Sequence, residues 1–223
     1  MNAPVRARGL LLDLDGTLLD TAPDMAGALD RLLVEEGRLP LPYDQVRPHV
    51  SHGAAALVRV GFGTPPEPQF ERLRRRFLAI YREHLCAGTR VFPGFEAVLA
   101  RLEAAALPWG IVTNKPTFLT EPLLVALGLY ARAACIVCGD TFPERKPHPR
   151  PMLHAAATIG VQPGAIVYVG DARRDIEAGR AAGMATLAAA FGYLEAGEDP
   201  AAWAPDGVIH APADVLAWLD LPP

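Results

Sequence analysis

The sequence predicts an α/β fold, a parallel-sheet core carrying an inserted all-helical block, on three observations. Beyond residue 90, short apolar runs alternate with helical segments, the pattern of a parallel sheet covered on both faces. Residues 21–85 show helical periodicity alone. The apolar run "GLLLDLDGTLLDT" (residues 9–21) stands ahead of that block as a separate strand. With 223 residues, 51% of them hydrophobic, the chain can hold one large domain or a domain with a smaller one inserted.

Taken in order, the first strand lies in the leucine run that ends at Asp13. "TAPDMAGALDRLLVEEG" opens on Thr21, a candidate N-cap, and stops at Gly37. "YDQVRPHV" and "GAAALVRVGF" are shorter helical pieces, and "PEPQFERLRRRFLAIYREHL" puts Phe70, Leu73, Phe77, Ile80 and Tyr81 on one face. Residues 107–113, 134–138, 165–170, 185–189 and 207–209 read as strands; 118–127, 151–159, 175–182 and 212–219 read as helices. The unbroken apolar "AIVYV" suits a strand buried on both faces. Linkers are expected at 18–21 and 88–93, which assigns 1–17 and 91–223 to the core and 18–90 to a helical cap.

The formal net charge of −4 provides no basic excess for nucleic acid and no polybasic patch for a membrane surface. Mean hydropathy is +0.17, as expected of a chain with a sizeable core. Arg6 and Arg8 precede an apolar run, but Asp13 and Asp15 cut it too soon for a signal peptide. The least polar window, 181–194, is too short to span a membrane, so a cytoplasmic protein is expected. Cys86, Cys135 and Cys138 form no disulfide framework. Cys135 and Cys138 are spaced C-x-x-C, but within a strand that spacing points them to opposite faces, and no second pair completes a zinc site.

Ligands of a parallel sheet bind beyond the carboxyl ends of its strands. The polar residues at those ends are Asp13, Asp15 and Thr17; Thr113, Asn114 and Lys115; Gly139 and Asp140 with Lys146 in the loop beyond; and Gly170, Asp171 and Asp175. Carboxylates, hydroxyls and a lysine on one rim suggest Mg²⁺ with a substrate phosphate. That would explain acids placed in the most apolar stretch, since a metal and a phosphate offset the cost of burying them. Taken singly, Thr113 could be an ordinary strand-end residue, Asp175 an N-cap and Lys146 a solvated loop lysine.

Together, "DLDGT", "VTNKP", "KPHPRP" and "VGDARRD" resemble, in order, the four motifs of the haloacid dehalogenase superfamily, in its phosphoglycolate phosphatase-like branch. The resemblance covers essentially the whole chain and implies a Rossmann-like core with a helical cap. It implies that Asp13 is the nucleophile that forms an aspartyl-phosphate, and Asp15 the acid and then the base. Thr113 and the Asn114 amide would hold phosphoryl oxygens, Lys146 would neutralise charge, and Gly16 would let backbone N–H groups face the phosphate. Mg²⁺ would be held by Asp13, the Asp15 carbonyl and Asp171, with Asp175 in support. Ala172 departs from the pattern, because relatives often carry Ser there.

The substrate implied is a small phosphorylated metabolite. Within the branch, the same segments resemble enzymes acting on 2-phosphoglycolate and on N-acetylmuramic acid 6-phosphate; a sugar phosphomutase and a non-catalytic binding module remain as alternatives. Ser51, His52 and Gly53 fall in a cap loop, with Arg59 beyond it, and His52 and Arg59 are candidates for reading the leaving group. The bland reading is a polar loop and a surface arginine.

Overall fold

A computed structural model describes residues 6–221. In chain order it contains β1 (Gly9–Leu12), β2 (Leu19–Asp20), α1 (Ala22–Glu35), α2 (Tyr43–Val46), α3 (Gly53–Phe62), α4 (Glu67–Glu83) and β3 (Arg90–Val91). These are followed by α5 (Phe95–Ala104), β4 (Trp109–Val112), α6 (Thr117–Ala126), β5 (Cys135–Val137) and α7 (Arg150–Ile159). The chain closes with β6 (Ile166–Gly170), α8 (Arg173–Ala181), β7 (Ala185–Ala189) and β8 (Gly207–Ile209). Short 3₁₀ helices cover Arg47–His52, Pro163–Ala165, Pro200–Trp203 and Pro212–Trp218.

Six strands form one sheet in the order β5-β4-β1-β6-β7-β8, and each neighbouring pair is parallel. Strand β1 sits inside it, with Leu12 opposite Ile111 of β4 and Val169 of β6. All four β1 residues are buried, as are all five of β6, which is why both read as continuous apolar runs. Because all six strands run the same way, their carboxyl ends share one rim, and Asp13, Thr113, Cys138 and Asp171 each follow the last residue of a strand there.

Helices α1–α4 fall between β2 and β3. The predicted apolar face of α4 is buried along its whole length, and α1 buries Met25, Leu29, Leu32 and Leu33 in the same cluster. The two expected linkers are not free connections. They pair as an antiparallel ribbon, Leu19 opposite Val91 and Asp20 opposite Arg90. Asp24 reinforces the ribbon by accepting hydrogen bonds from the Gly88 N–H and from the Thr89 N–H and hydroxyl.

Two further expectations are corrected, and one helix lies where none is expected. Thr21 does not cap α1: its hydroxyl donates to Asp15 Oδ1 at 2.7 Å, and the Ala22 N–H instead donates to the Tyr193 hydroxyl at 2.9 Å. Residues 212–218 form a 3₁₀ helix rather than an α-helix. Helix α5 was not predicted, although Phe95, Val98, Leu99 and Leu102 carry the helical period and are buried. The cysteines behave as expected of packing groups: Cys135 and Cys138 are buried, and burial pushes the Cys135 thiol up to about 11. No helix among the described residues is long and apolar enough to cross a membrane.

Candidate active site

Asp13 is the first residue past β1. Its N–H still donates to Val169 O across the sheet, so the backbone is fixed where the side chain leaves the core. Oδ1 accepts from the Leu14 N–H at 2.7 Å and faces Lys146 Nζ at 2.8 Å. Among the described residues, no hydrogen bond or ion pair reaches Oδ2. Lys146 is fully buried at its side chain, with Nζ also 2.7 Å from Asp175 Oδ1 and 2.8 Å from the Tyr168 hydroxyl. All three ammonium hydrogens are therefore used. The Tyr168 hydroxyl in turn donates a hydrogen bond to Val112 O at 2.9 Å.

Asp175 lies at the start of α8, where Oδ2 accepts from the Ala172 N–H at 3.1 Å. It is at the third helical position, not at the N-cap. Asp171 precedes α8; its Oδ2 accepts from the Ser51 hydroxyl at 2.6 Å and the Tyr193 N–H at 3.0 Å, while the buried Oδ1 has no partner. One carboxylate oxygen from each of Asp13, Asp171 and Asp175 falls within 4.8 Å of the others. Gly16, with φ +81°, passes so close that a Cβ there would overlap the Asp171 carboxyl. Gly16 is thus required by close approach, which its sequence context did not show.

Three buried carboxylates against the single ammonium bonded to them form an unbalanced cluster. Burial pushes Asp171 up to about 7, with Asp13 and Asp175 adding to the shift. Burial also raises Asp13, with Lys146 pulling the other way. An orphaned carboxylate oxygen and an oxygen-only donor set are what a hard divalent cation takes, so these residues fit one. The sign of the pH effect follows from the direction of the Asp171 shift. Its folded value lies above 3.8, so its protonated form supports the fold, fully below 3.8 and progressively less as pH rises through about 7. In chelator the melting temperature should fall between about pH 5 and about pH 8, and added Mg²⁺ should raise it more at the upper end. Thermal melts test this; a cation shift independent of pH would contradict it.

Asp15 turns away from this cluster. Its Oδ1 meets Lys115 Nζ at 2.9 Å and the Thr21 hydroxyl at 2.7 Å, leaving Oδ2 unpartnered among the described residues. Buried Lys115 also donates to the Tyr81 hydroxyl at 3.0 Å and lies 4.5 Å from that ring's centroid. Burial alone would lower the Lys115 pKa, but Asp15 and Tyr81 raise it above the usual lysine value. Its position in the sequence puts Lys115 on the rim without a role, and its link to Tyr81 of α4 carries no sequence signal. The Thr113 hydroxyl accepts from the Lys115 N–H at 3.1 Å. The Asn114 side chain clamps the Lys146 backbone, donating to its carbonyl at 3.0 Å and accepting from its N–H at 3.1 Å. The sequence points only to the Asn114 main-chain amide.

Over these residues lies a cavity of about 480 Å³, walled by Asp13, Asp15, Thr113 and Lys115 from the core and by Met25, His52, Leu78 and Tyr81 from the helices. Arg59 is not on its wall; its guanidinium stacks 4.7 Å over Phe70. Arg74, Arg145 and Arg174 line the cavity instead, none of them singled out by sequence.

The sequence pattern of the haloacid dehalogenase-like hydrolase family matches residues 10–189, from β1 to the end of β7. The chain belongs to the haloacid dehalogenase-like hydrolases. Among this hydrolase's relatives is a phosphoglycolate phosphatase of Xanthomonas campestris, 45% identical over 95% of this chain and 97% of the relative. Another is the N-acetylmuramic acid 6-phosphate phosphatase of Pseudomonas aeruginosa, 39% identical over 97% and 96% of the two chains. A crystal structure described as a predicted phosphoglycolate phosphatase from Haemophilus somnus superposes with a TM-score of 0.84 at 30% identity, over 94% of this chain and 96% of that one. This hydrolase is a phosphatase, and both named relatives act on small phosphorylated substrates. Its acidic triad is able to hold the divalent metal that phosphatases of the family generally use.

Proposed function

We propose that the chain is a Mg²⁺-dependent phosphomonoesterase that cleaves 2-phosphoglycolate to glycolate and phosphate through an aspartyl-phosphate on Asp13. The carrying observation is a pair of differently held carboxylates at the end of β1: Asp13 within the acidic cluster with a free Oδ2, and Asp15 outside it with its own free Oδ2. Asp13 attacks phosphorus, and the bond to the leaving oxygen breaks. Asp15 gives that oxygen a proton, then takes one from the water that attacks the aspartyl-phosphate. Phosphate leaves and the Asp13 carboxylate is restored. Lys146 offsets charge on the nucleophile and the phosphoryl group, while the Thr113 hydroxyl and the Asn114 main-chain N–H bind phosphoryl oxygens. Asp13, the Asp15 carbonyl and Asp171, with Asp175 in support, would hold Mg²⁺, which would supply further charge neutralisation. Helices α1–α4 act as a cap that excludes water, and the enzyme works in the cytoplasm.

The cavity favours a second reading. A two-carbon acid fills little of about 480 Å³, and the wall includes Leu78, Tyr81, Phe118 and Leu119 beside its arginines. Apolar surface and cations together suit a larger leaving group with a carboxylate, as in N-acetylmuramic acid 6-phosphate. Comparing kcat/KM for the two compounds tests the proposal. A higher value for 2-phosphoglycolate supports the first reading, and a higher value for the amino-sugar phosphate replaces it. Arg145 is exposed on that wall; among the described residues its guanidinium makes no hydrogen bond or salt bridge, and its charge helps to lower the Asp140 pKa. Arg145→Ala should lower kcat/KM for the preferred compound about tenfold and leave a small aryl phosphate nearly unchanged. Equal loss on both would remove Arg145 from leaving-group recognition.

A further inference from the structure

The 3₁₀ helix Arg47–His52 carries one side chain from the helical block into the acidic cluster. The Ser51 hydroxyl donates to Asp171 Oδ2 at 2.6 Å and lies 3.5 Å from the Asp15 carbonyl oxygen. Ala172 follows Asp171 and has no hydroxyl, so the side-chain hydrogen bond onto Asp171 comes from Ser51. A Cβ on Gly16 would strike both the Asp171 carboxyl and Ser51 Oγ, so that glycine leaves the opening through which the hydroxyl reaches.

Ser51 is itself held from the core. Arg174, one residue before Asp175, donates to the Ser51 carbonyl at 2.6 Å, and its other terminal nitrogen lies 3.3 Å from His52 Nδ1. On the far side, His49 and His52 lie 3.2 Å and 3.6 Å from Glu195 Oε1, and Arg47 donates to the carbonyls of Gly192 and Phe191. The turn is therefore docked at several points, but only Ser51 touches a carboxylate of the cluster. With Ser51 and the Tyr193 N–H both on Oδ2, the rotation of the Asp171 carboxylate is set, and Oδ1 remains the unpartnered oxygen.

We propose that Ser51 is a positioning residue for the divalent cation: its hydroxyl, held in place by Arg174, orients Asp171 for the ion and couples cation binding to docking of the 47–52 turn. The inference rests on reading Asp13, Asp171 and Asp175 as the cation site. Outer-shell partners of this kind fix a ligand's orientation. A shared contact of this kind makes the coupling reciprocal, so an ion that favours the oriented Asp171 also favours the docked turn.

The test uses the full chain with Mg²⁺ as the probe. Calorimetric titration should show Ser51→Ala binding Mg²⁺ about tenfold more weakly than the parent. Hydrogen exchange of the amides of residue 47 and residues 49–53 should slow when Mg²⁺ is added to the parent and change much less in Ser51→Ala. A serine that merely packs the turn would leave the Mg²⁺-dependent part of the exchange untouched. Equal Mg²⁺ affinity in the two proteins, or equal Mg²⁺-induced protection, overturns the role of Ser51. A parent chain that binds no Mg²⁺ overturns the cation-site reading as well, so the two failures are distinguishable.

Discussion

Asp13→Asn should lower kcat by at least about four orders of magnitude while leaving the fold intact. The amide has the shape of the carboxylate, and its oxygen can still accept the Leu14 N–H that Oδ1 accepts now. It cannot form the acyl phosphate, so the covalent route is lost rather than slowed. Stability should not suffer with it. Burial raises the Asp13 pKa, which means that the fold already disfavours the charged form, and a neutral side chain avoids that cost. Lys146 keeps Asp175 and the Tyr168 hydroxyl. Phosphate release and a thermal melt on the same preparation check both halves. Turnover within about tenfold of the parent would remove Asp13 as nucleophile.

Lys146→Met has the second-largest expected effect and separates charge from packing. Methionine fills much of the same volume but leaves Asp13 and Asp175 facing each other without the cation between them. Breaking a buried pair by removing one partner costs about 3–5 kcal/mol. In chelator that loss should shrink as pH falls, because the carboxylates can take up protons. Activity should fall by about two to three orders of magnitude, the scale of one lost charge-stabilising donor in a dry site. Denaturant unfolding at two pH values and steady-state kinetics measure both. A stability loss that does not depend on pH would mean that Lys146 matters for its packing, not its charge.

The parts of this molecule legible in sequence are those whose partners are close in the chain or whose pattern is periodic. Continuous apolar runs gave away β1 and β6, and the residues at strand ends could be gathered because a parallel sheet turns all its ends to one rim. The buried stripe of α4 followed from spacing alone. Contacts between the helical block and the core were not legible. Ser51 to Asp171 spans 120 positions and Lys115 to Asp15 spans 100, and no local pattern marks either pair. Arg59 shows the converse difficulty: a cationic side chain near a polar loop has several destinations, and here the ring of Phe70 is the one it takes. Thr21 likewise had two uses for one hydroxyl, and the buried carboxylate of Asp15 outcompeted the helix end.

The paired ribbon of β2 and β3 has a consequence for how this chain could have been assembled and how it can be edited. The segment between Asp20 and Arg90 leaves the core and returns to it at directly opposed residues. From the core's side, the whole helical block is a single closed hairpin end. The entropy of closing such a loop grows only with the logarithm of its length, so the core is nearly indifferent to how long the hairpin is. A helix pair, a larger bundle or a short turn could occupy the same two ports without altering β1, β4 or β6. The ribbon is thus a junction in the protein's architecture: what its two ports carry can change in length at little entropic cost, while the side chains that reach back, Ser51 and Tyr81, tie this particular block to the core.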